Sequence, residues 1–239
     1  LADNRGVVES LPSLLLFARA PREGRAKTRL FPAVGASGAA RLARAFLEDA
    51  ARAYGPPAPW SPVLCADPTP EEPPFPEVFA PGWRRQPQTE GTLGERLASA
   101  FAAEFHRGAR AVAAVGSDHP VLPRRGVAQV FDRLAAGWHA CVIPAQDGGY
   151  CAIGLSAEAP ATEAFRDVPW SSSAVLEITL ARLERARCAV AVLDPSYDVD
   201  RPEDLERLAA DLAGKDPSEP DFPRATAAAL AALVNGGVR

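Results

Sequence analysis

Five cations fall within eleven residues near the start of the chain: Arg19, Arg22, Arg25, Lys27 and Arg29. A turn needs no such charge. Ahead of them Leu14, Leu15, Leu16 and Phe17 form an unbroken apolar run, and Pro21 and Gly24 interrupt regular structure directly after it. A strand running into such a loop can present backbone N–H groups and cationic side chains to one polyanion, with phosphate the common case. Neither the P-loop pattern nor the dinucleotide glycine fingerprint is present here. Charge density alone therefore carries the reading, against the plain alternative of solvated surface cations.

The second chemical signal is a set of carboxylates. Asp118 follows the small apolar run Ala111–Val115 within Gly116-Ser117-Asp118-His119-Pro120. In that position it can hold a divalent cation beside the phosphates, because Mg2+ needs only one or two protein carboxylates and takes its other ligands from phosphate and water. Asp198 and Asp200 are two residues apart, so in extended chain they face the same way and either could be a second ligand. Asp200 before Arg201, Pro202 and Glu203 reads equally well as a helix start, with the aspartate capping backbone N–H groups. Asp147, ahead of Gly148 and Gly149, is a candidate base toward an acceptor hydroxyl and also a natural turn residue.

Strands and helices must position these groups. Leu14–Phe17, Pro62–Ala66, Ala111–Val115, His139–Ile143, Cys151–Leu155 and Ala189–Leu193 read as strands. Between them lie helical patterns: Gly38–Tyr54, with Ala39, Leu42, Ala43, Phe46, Leu47 and Ala50 on one face; Gly91–His106; a helix closing over Leu134–Trp138; Leu176–Ala186; Pro202–Leu212; and Ala225–Val234. Gly91 and Gly94 at one helix entry indicate either close packing or a backbone that approaches a ligand. The six prolines between residues 68 and 81 exclude a helix or central strand there, leaving an irregular surface excursion. The alternation predicts a three-layer α/β/α fold with a mostly parallel central sheet, its binding groups at the carboxyl ends of the strands. Residues 1–12 read as a flexible leader and 13–239 as a single domain.

Composition narrows the function. The 239-residue chain is long enough for one core without disulfide or metal support. A net charge of −4 argues against a general nucleic-acid surface and makes the basic loop a local feature. Cys65, Cys141, Cys151 and Cys188 form no CxxC pair and read as reduced core thiols. The apolar run before Phe17 is too short to span a bilayer, so a cytoplasmic enzyme is expected.

Six ordered blocks then resemble one family. FARAPREGRAKTRL, TLGERL, VGSDHPVLP, IPAQDGGYCAIGL, VPWSSSAVLEITLARL and YDVDRPEDLERL are similar, in order and spacing, to the bacterial DUF2064 family of glycosyltransferase-like, rSAM-selenodomain-associated transferases. The KTRL block also resembles the entry loop of the 2-phospho-L-lactate guanylyltransferases. The resemblance implies a GT-A (nucleotide-diphospho-sugar transferase) fold and a nucleotide donor held with Mg2+ or Mn2+. On the donor it implies Ala18, Arg19, Gly24, Lys27, Arg29, Gly94 and Arg96; as metal ligands, Asp118 and Asp200; and as the catalytic pair, Asp147 and Asp118. His119, Gly148, Gly149, Tyr150, Trp170 and Ser171 would line the acceptor side. The metal block carries one carboxylate where many GT-A enzymes carry two, and His119, Gln146 and Ser172 depart from the usual form. The expected activity is glycosyl transfer from a nucleotide-diphospho-sugar to a small-molecule acceptor. Alternatives are nucleotidyl transfer from an NTP to a small phosphate or phosphonate, and a catalytically silent nucleotide-binding protein. Neither nucleic acid nor membrane is expected as a partner, and the oligomeric state is left open.

Overall fold

The computed structural model of the chain describes residues 11–236. The expected leader lies, but for Leu11 and Pro12, outside the described residues. Seven strands form one sheet: β1 (Ser13–Arg19), β2 (Ser61–Asp67), β3 (Arg84–Pro87), β4 (Ala111–Gly116), β5 (Ala140–Pro144), β6 (Tyr150–Ser156) and β7 (Val190–Val192). Their order is β3-β2-β1-β4-β6-β5-β7. All pairs are parallel except those of β6, which runs antiparallel to both β4 and β5. The mostly parallel sheet expected from the alternation of elements is therefore present, with one reversed strand that follows the tight Asp147–Gly149 turn.

The helices are α1 (Phe31–Tyr54), α2 (Phe75–Val78), α3 (Leu93–His106), α4 (Arg124–Ala135), α5 (Ala161–Phe165), α6 (Val175–Arg185), α7 (Pro202–Ala213) and α8 (Arg224–Gly236). β1 shows why both faces are covered. Leu14 and Leu16 join the cluster under α1 and α4 (Leu47, Tyr54, Val127, Val130), whereas Leu15 joins the opposite one under α3, α5 and α6 (Leu97, Phe101, Phe165, Leu183). Alternate residues of a strand point to opposite faces, so a continuous apolar run is what a doubly covered strand requires. Burying each leucine fully is worth about 1.5–3 kcal/mol. A third cluster packs α7, α8 and the segment Tyr197–Val199 on the outer side of α1.

Four elements differ from expectation. α1 begins at Phe31, seven residues earlier than the Gly38 start, and bends at Gly35, whose φ of 67° and ψ of 173° are non-helical. The proline-rich excursion contains one helical turn, α2, because Pro74 and Pro76 fall at its N-terminal end, where a missing N–H costs nothing. β3, of sequence Arg-Arg-Gln-Pro, has no apolar face to signal it and pairs only as an edge strand. The short α5 is too brief for a periodic pattern. At α3, Thr92 and Glu95 form a reciprocal capping box that starts the helix one residue after Thr92.

Candidate functional site

The sheet order brings the basic loop and Asp118 together. β1 and β4 are parallel neighbours with Phe17 opposite Gly116, and Ser117 N donates to Phe17 O at 3.2 Å. Their carboxyl ends therefore stand side by side where strand order turns outward from β1, the crevice in which open α/β sheets bind ligands. Val199 N donates to Asp118 O at 3.0 Å, which lays the Asp198–Asp200 segment against the same turn.

The charges at that junction meet directly. Lys27 Nζ is 2.9 Å from Asp118 Oδ2 and 3.7 Å from Asp200 Oδ1, and Arg29 Nη1 donates to Asp200 Oδ2 at 2.6 Å. The Lys27 side chain is 6% exposed, against 48% for Asp118 and 30% for Asp200. Lys27 sits in left-handed backbone, φ 49° and ψ 47°, at the entry of a 3-10 turn over Thr28–Leu30. That conformation costs a non-glycine residue about 1–2 kcal/mol and turns the chain sharply inward from the loop. Burial pushes the Asp118 carboxyl up, but the adjacent Lys27 ammonium outweighs it and holds the group below the usual carboxylate range.

Asp200 does not cap α7. Asp204 does, accepting from the N–H groups of Asp200 at 2.9 Å and Arg201 at 2.6 Å. Of the two readings of Asp200, the capping one is excluded, and its carboxylate faces the cations. Asp198 faces another group. Burial first and the Asp147 charge second raise its carboxyl above the ordinary value, while His119 and Lys27 oppose the rise. Register explains the proximity of Asp147: Ser196 N donates to Pro144 O at 2.9 Å and Ser196 bridges Ala145, so the turn after β5 lies beside the chain entering Asp198. Arg207 of α7 secures this junction, bonding to Gln146 and lying 3.7 Å over the Tyr197 ring. Asp147 Oδ1 accepts from Gly149 N at 2.9 Å, so its turn role is real.

His119 packs against its own turn and against the chain entering Asp198. Its Nδ1 lies 3.2 Å from Tyr197 O, and its Nε2 packs over Gly116. Burial lowers its pKa, against the opposing pull of the Asp118 charge and the Tyr197 carbonyl. Gly148, Gly149, Tyr150, Trp170 and Ser171 do gather. The Tyr150 and Trp170 rings meet edge-on at 6.2 Å, Leu176 N donates to Gly148 O at 2.9 Å, and Ser171 is left-handed at φ 67°. Gly94 belongs to this packing: a Cβ there would strike Phe165 O and come within 2.8 Å of Trp170 Nε1. The close-packing explanation of that glycine is the one realised.

Arg96 meets the first residues of the basic loop through Asp67 and Gln88, away from Lys27. It bonds Asp67 Oδ2 at 2.9 Å, Gln88 Oε1 at 3.2 Å and Gly91 O at 3.0 Å. Gln88 in turn donates to Ala18 O at 3.3 Å and Cys65 O at 2.9 Å, and exposed Arg19 lies 3.4 Å from Asp67. Asp67 and Gln88 escaped the sequence reading. The strand-end rule that found Asp118 could have found Asp67, the last residue of β2. Beside this network a hollow of about 140 Å3 opens between α3 and the ends of β1–β3, lined by Phe17, Cys65, Gln86, Gln88, Arg96 and Ser99. A second, of only about 20 Å3, lies behind the Asp118 turn under α1. Gly24, at φ 78°, is at the open apex of the basic loop, and Arg22 nearby pairs with Glu72.

Among the described residues no three His, Cys, Asp or Glu side chains gather at a metal-binding distance. A two-carboxylate site is another matter. Asp118 and Asp200 hold one ammonium between them, which marks a cation position lined by hard oxygen donors, and Mg2+ or Mn2+ suits such a pair when phosphate and water supply the remaining ligands.

This is the fold of the nucleotide-diphospho-sugar transferases. Residues 50–172 match the family described as "Uncharacterized protein conserved in bacteria (DUF2064)", and the chain belongs to that family. A protein of Desulfovibrio desulfuricans G20, provisionally named a nucleotide-diphospho-sugar transferase, is similar at a TM-score of 0.82 and 29% identity, over 95% of this chain and 98% of that one. A cytidylyltransferase from Leptospira borgpetersenii is similar at 0.56 and 12% identity, over 95% of each chain. The 4-diphosphocytidyl-2C-methyl-D-erythritol synthase of Anaerococcus prevotii is similar at 0.56 and 11% identity, over 84% of this chain and 96% of that one. The last two likenesses are of fold alone. No curated protein sequence matches the chain. No helix among the described residues is long and apolar enough to cross a membrane.

Proposed function

We propose that the chain is a metal-dependent transferase that moves a glycosyl group from a nucleotide-diphospho-sugar to a hydroxyl of a small-molecule acceptor. The observation that carries this reading is the meeting of Lys27 with Asp118 and Asp200 at the joined ends of β1 and β4. Lys27 and Arg29 would then face the donor's diphosphate, Asp118 and Asp200 would hold the divalent ion, and the hollow beside Gln86, Gln88 and Ser99 would take the base. When bound, the ion neutralises charge on the departing diphosphate. The acceptor oxygen bonds to the anomeric carbon as the bond from that carbon to the diphosphate oxygen breaks. Its proton passes to Asp147, and the nucleoside diphosphate leaves with its charge against Lys27 and Arg29.

Nucleotidyl transfer is the second reading, since the same cations suit a triphosphate and the cytidylyltransferases share the fold. Electrostatics on the acceptor side favour the first. Asp147 and Asp198 pair with no cation among the ion pairs of the described residues, and two carboxylates there oppose an incoming phosphate more than a hydroxyl. The test is a thermal-shift panel of NTPs and nucleotide sugars with and without Mg2+, because a ligand that binds only the folded chain raises its melting temperature. A sugar-nucleotide response supports glycosyl transfer and a response confined to triphosphates supports the alternative. Tight binding with no transfer or hydrolysis of any donor would leave a silent binding protein. Replacing Lys27 and Arg29 together by Ala erases either shift; an unchanged shift would place the phosphates elsewhere.

A further inference from the structure

Lys27 is buried, yet its ammonium lies between two carboxylates that the proposed function needs for a metal ion. Asp118 Oδ2 is 2.9 Å from Nζ and Asp200 Oδ1 is 3.7 Å from it, while the other oxygen of Asp200 takes Arg29. A lysine meant only to greet phosphate could extend into solvent, as Arg19 and Arg25 do in the same loop. The left-handed backbone at Lys27 instead directs it inward. Its ammonium thus occupies the cation position between the two carboxylates, and each charge is spoken for: the carboxylates neutralise the cations that phosphate would use, and the cations neutralise the carboxylates that metal would use.

We propose that Lys27 is an internal stand-in for the metal, so that a divalent ion and a polyphosphate bind this chain only as a pair. A metal arriving alone must displace an ammonium that then has no partner. A polyphosphate arriving alone finds Lys27 and Arg29 engaged and two carboxylates beside it. Arriving together, the metal takes Asp118 and Asp200 while the released Lys27 and Arg29 turn to the phosphates, and every charge is again matched. In linkage terms each ligand raises the other's affinity by the same factor, on the order of 10-fold or more. The inference rests on the transferase reading for the presence of both ligands, but it concerns the order in which the site's own charges exchange partners.

The experiment uses Mn2+ and inorganic pyrophosphate, the fragment common to both donor classes, with titration calorimetry and melting curves of the full chain. For the unaltered chain, Mn2+ alone and pyrophosphate alone give little response, and the two together shift the melting temperature by more than the sum of their separate effects. Lys27→Met, similar in length and uncharged, binds Mn2+ alone at least about 10-fold more tightly than the parent, and the coupling to pyrophosphate shrinks. Asp118→Asn shows the reverse, with weakened Mn2+ binding and tighter metal-free pyrophosphate binding, because Lys27 has lost its nearer partner. This second variant keeps the proposal exposed if Lys27→Met does not fold. If the parent binds the Mn2+–pyrophosphate pair but no more than additively, or if neither variant shifts as stated, the stand-in role is overturned while the donor site survives. If nothing binds pyrophosphate with or without Mn2+, both readings fall together.

Discussion

Asp147 carries two duties that a single substitution separates. Its Oδ1 accepts from Gly149 N, which holds the turn between β5 and β6, and its charge acts on Asp198 across the junction. Asparagine keeps a carbonyl oxygen for the turn and loses the proton acceptor. Asp147→Asn is therefore expected to leave donor-induced melting shifts intact and to lower kcat by about 10²–10⁴-fold, the usual contribution of a general base. The rate of nucleoside diphosphate release measures this, and retained turnover would remove Asp147 from the chemistry. His119 belongs to a different class of residue. Its ring lies against Tyr197 O and Gly116, where it supports the Asp118 turn.

Among the elements, the entry of α3 shows how packing sets the acceptor side. Thr92 and Glu95 begin the helix by mutual capping, and Gly94 in its first turn admits the carbonyl of Phe165 and the indole of Trp170. That contact fixes the loop before α6, whose Ser173 backbone in turn rests on Gly148. Gly94→Ala is expected to destabilise the chain by about 1–3 kcal/mol, the range for forcing an extra methyl into a packed site. It should also weaken acceptor use more than donor binding. Denaturant melts give the first quantity, and KM values for the two substrates give the second; unchanged stability would mean that the Trp170 loop yields freely. α8 is fastened by a similar economy, since buried Asp49 of α1 accepts from Ala225 N at 3.1 Å and Thr226 N at 2.7 Å and so caps a helix far away in sequence.

At the scale of the whole molecule, Glu104 joins the two ends of the chain's first half. Buried on α3, it accepts from Ser13 of β1 at 2.6 Å and pairs with Arg84 of the edge strand β3 and with Arg107. Burial raises its pKa, but Arg84, Ser13 and Arg107 together outweigh it and hold the carboxyl below the ordinary value. The unfolded chain then binds the proton more readily, so stability rises with pH. The contribution is complete above the unfolded glutamate pKa, near 4.3, and disappears as pH falls through the lower folded value. Glu104→Gln is expected to cost about 1–3 kcal/mol at pH 7 and to flatten the acid limb of the melting temperature against pH; an unaltered acid limb would show that Glu104 does not govern it. Much of this molecule was legible in advance. The unbroken run Leu14–Phe17 required a strand covered on both faces, the periodicity of Ala39 to Ala50 required a helix, and the strand-end rule selected Lys27's loop and Asp118, because these follow from local chain geometry and from the cost of exposing apolar surface. The edge strand β3 has no apolar period, and the choice of Asp204 over Asp200 as the α7 cap turns on which carboxylate can reach the free N–H groups. Nor could spacing show that Lys27 turns inward to Asp118 while Arg96 turns to Asp67. Those partnerships join residues separated by dozens of positions, and which charge meets which is decided only when strand order places β1 between β2 and β4 and buries what lies at their ends.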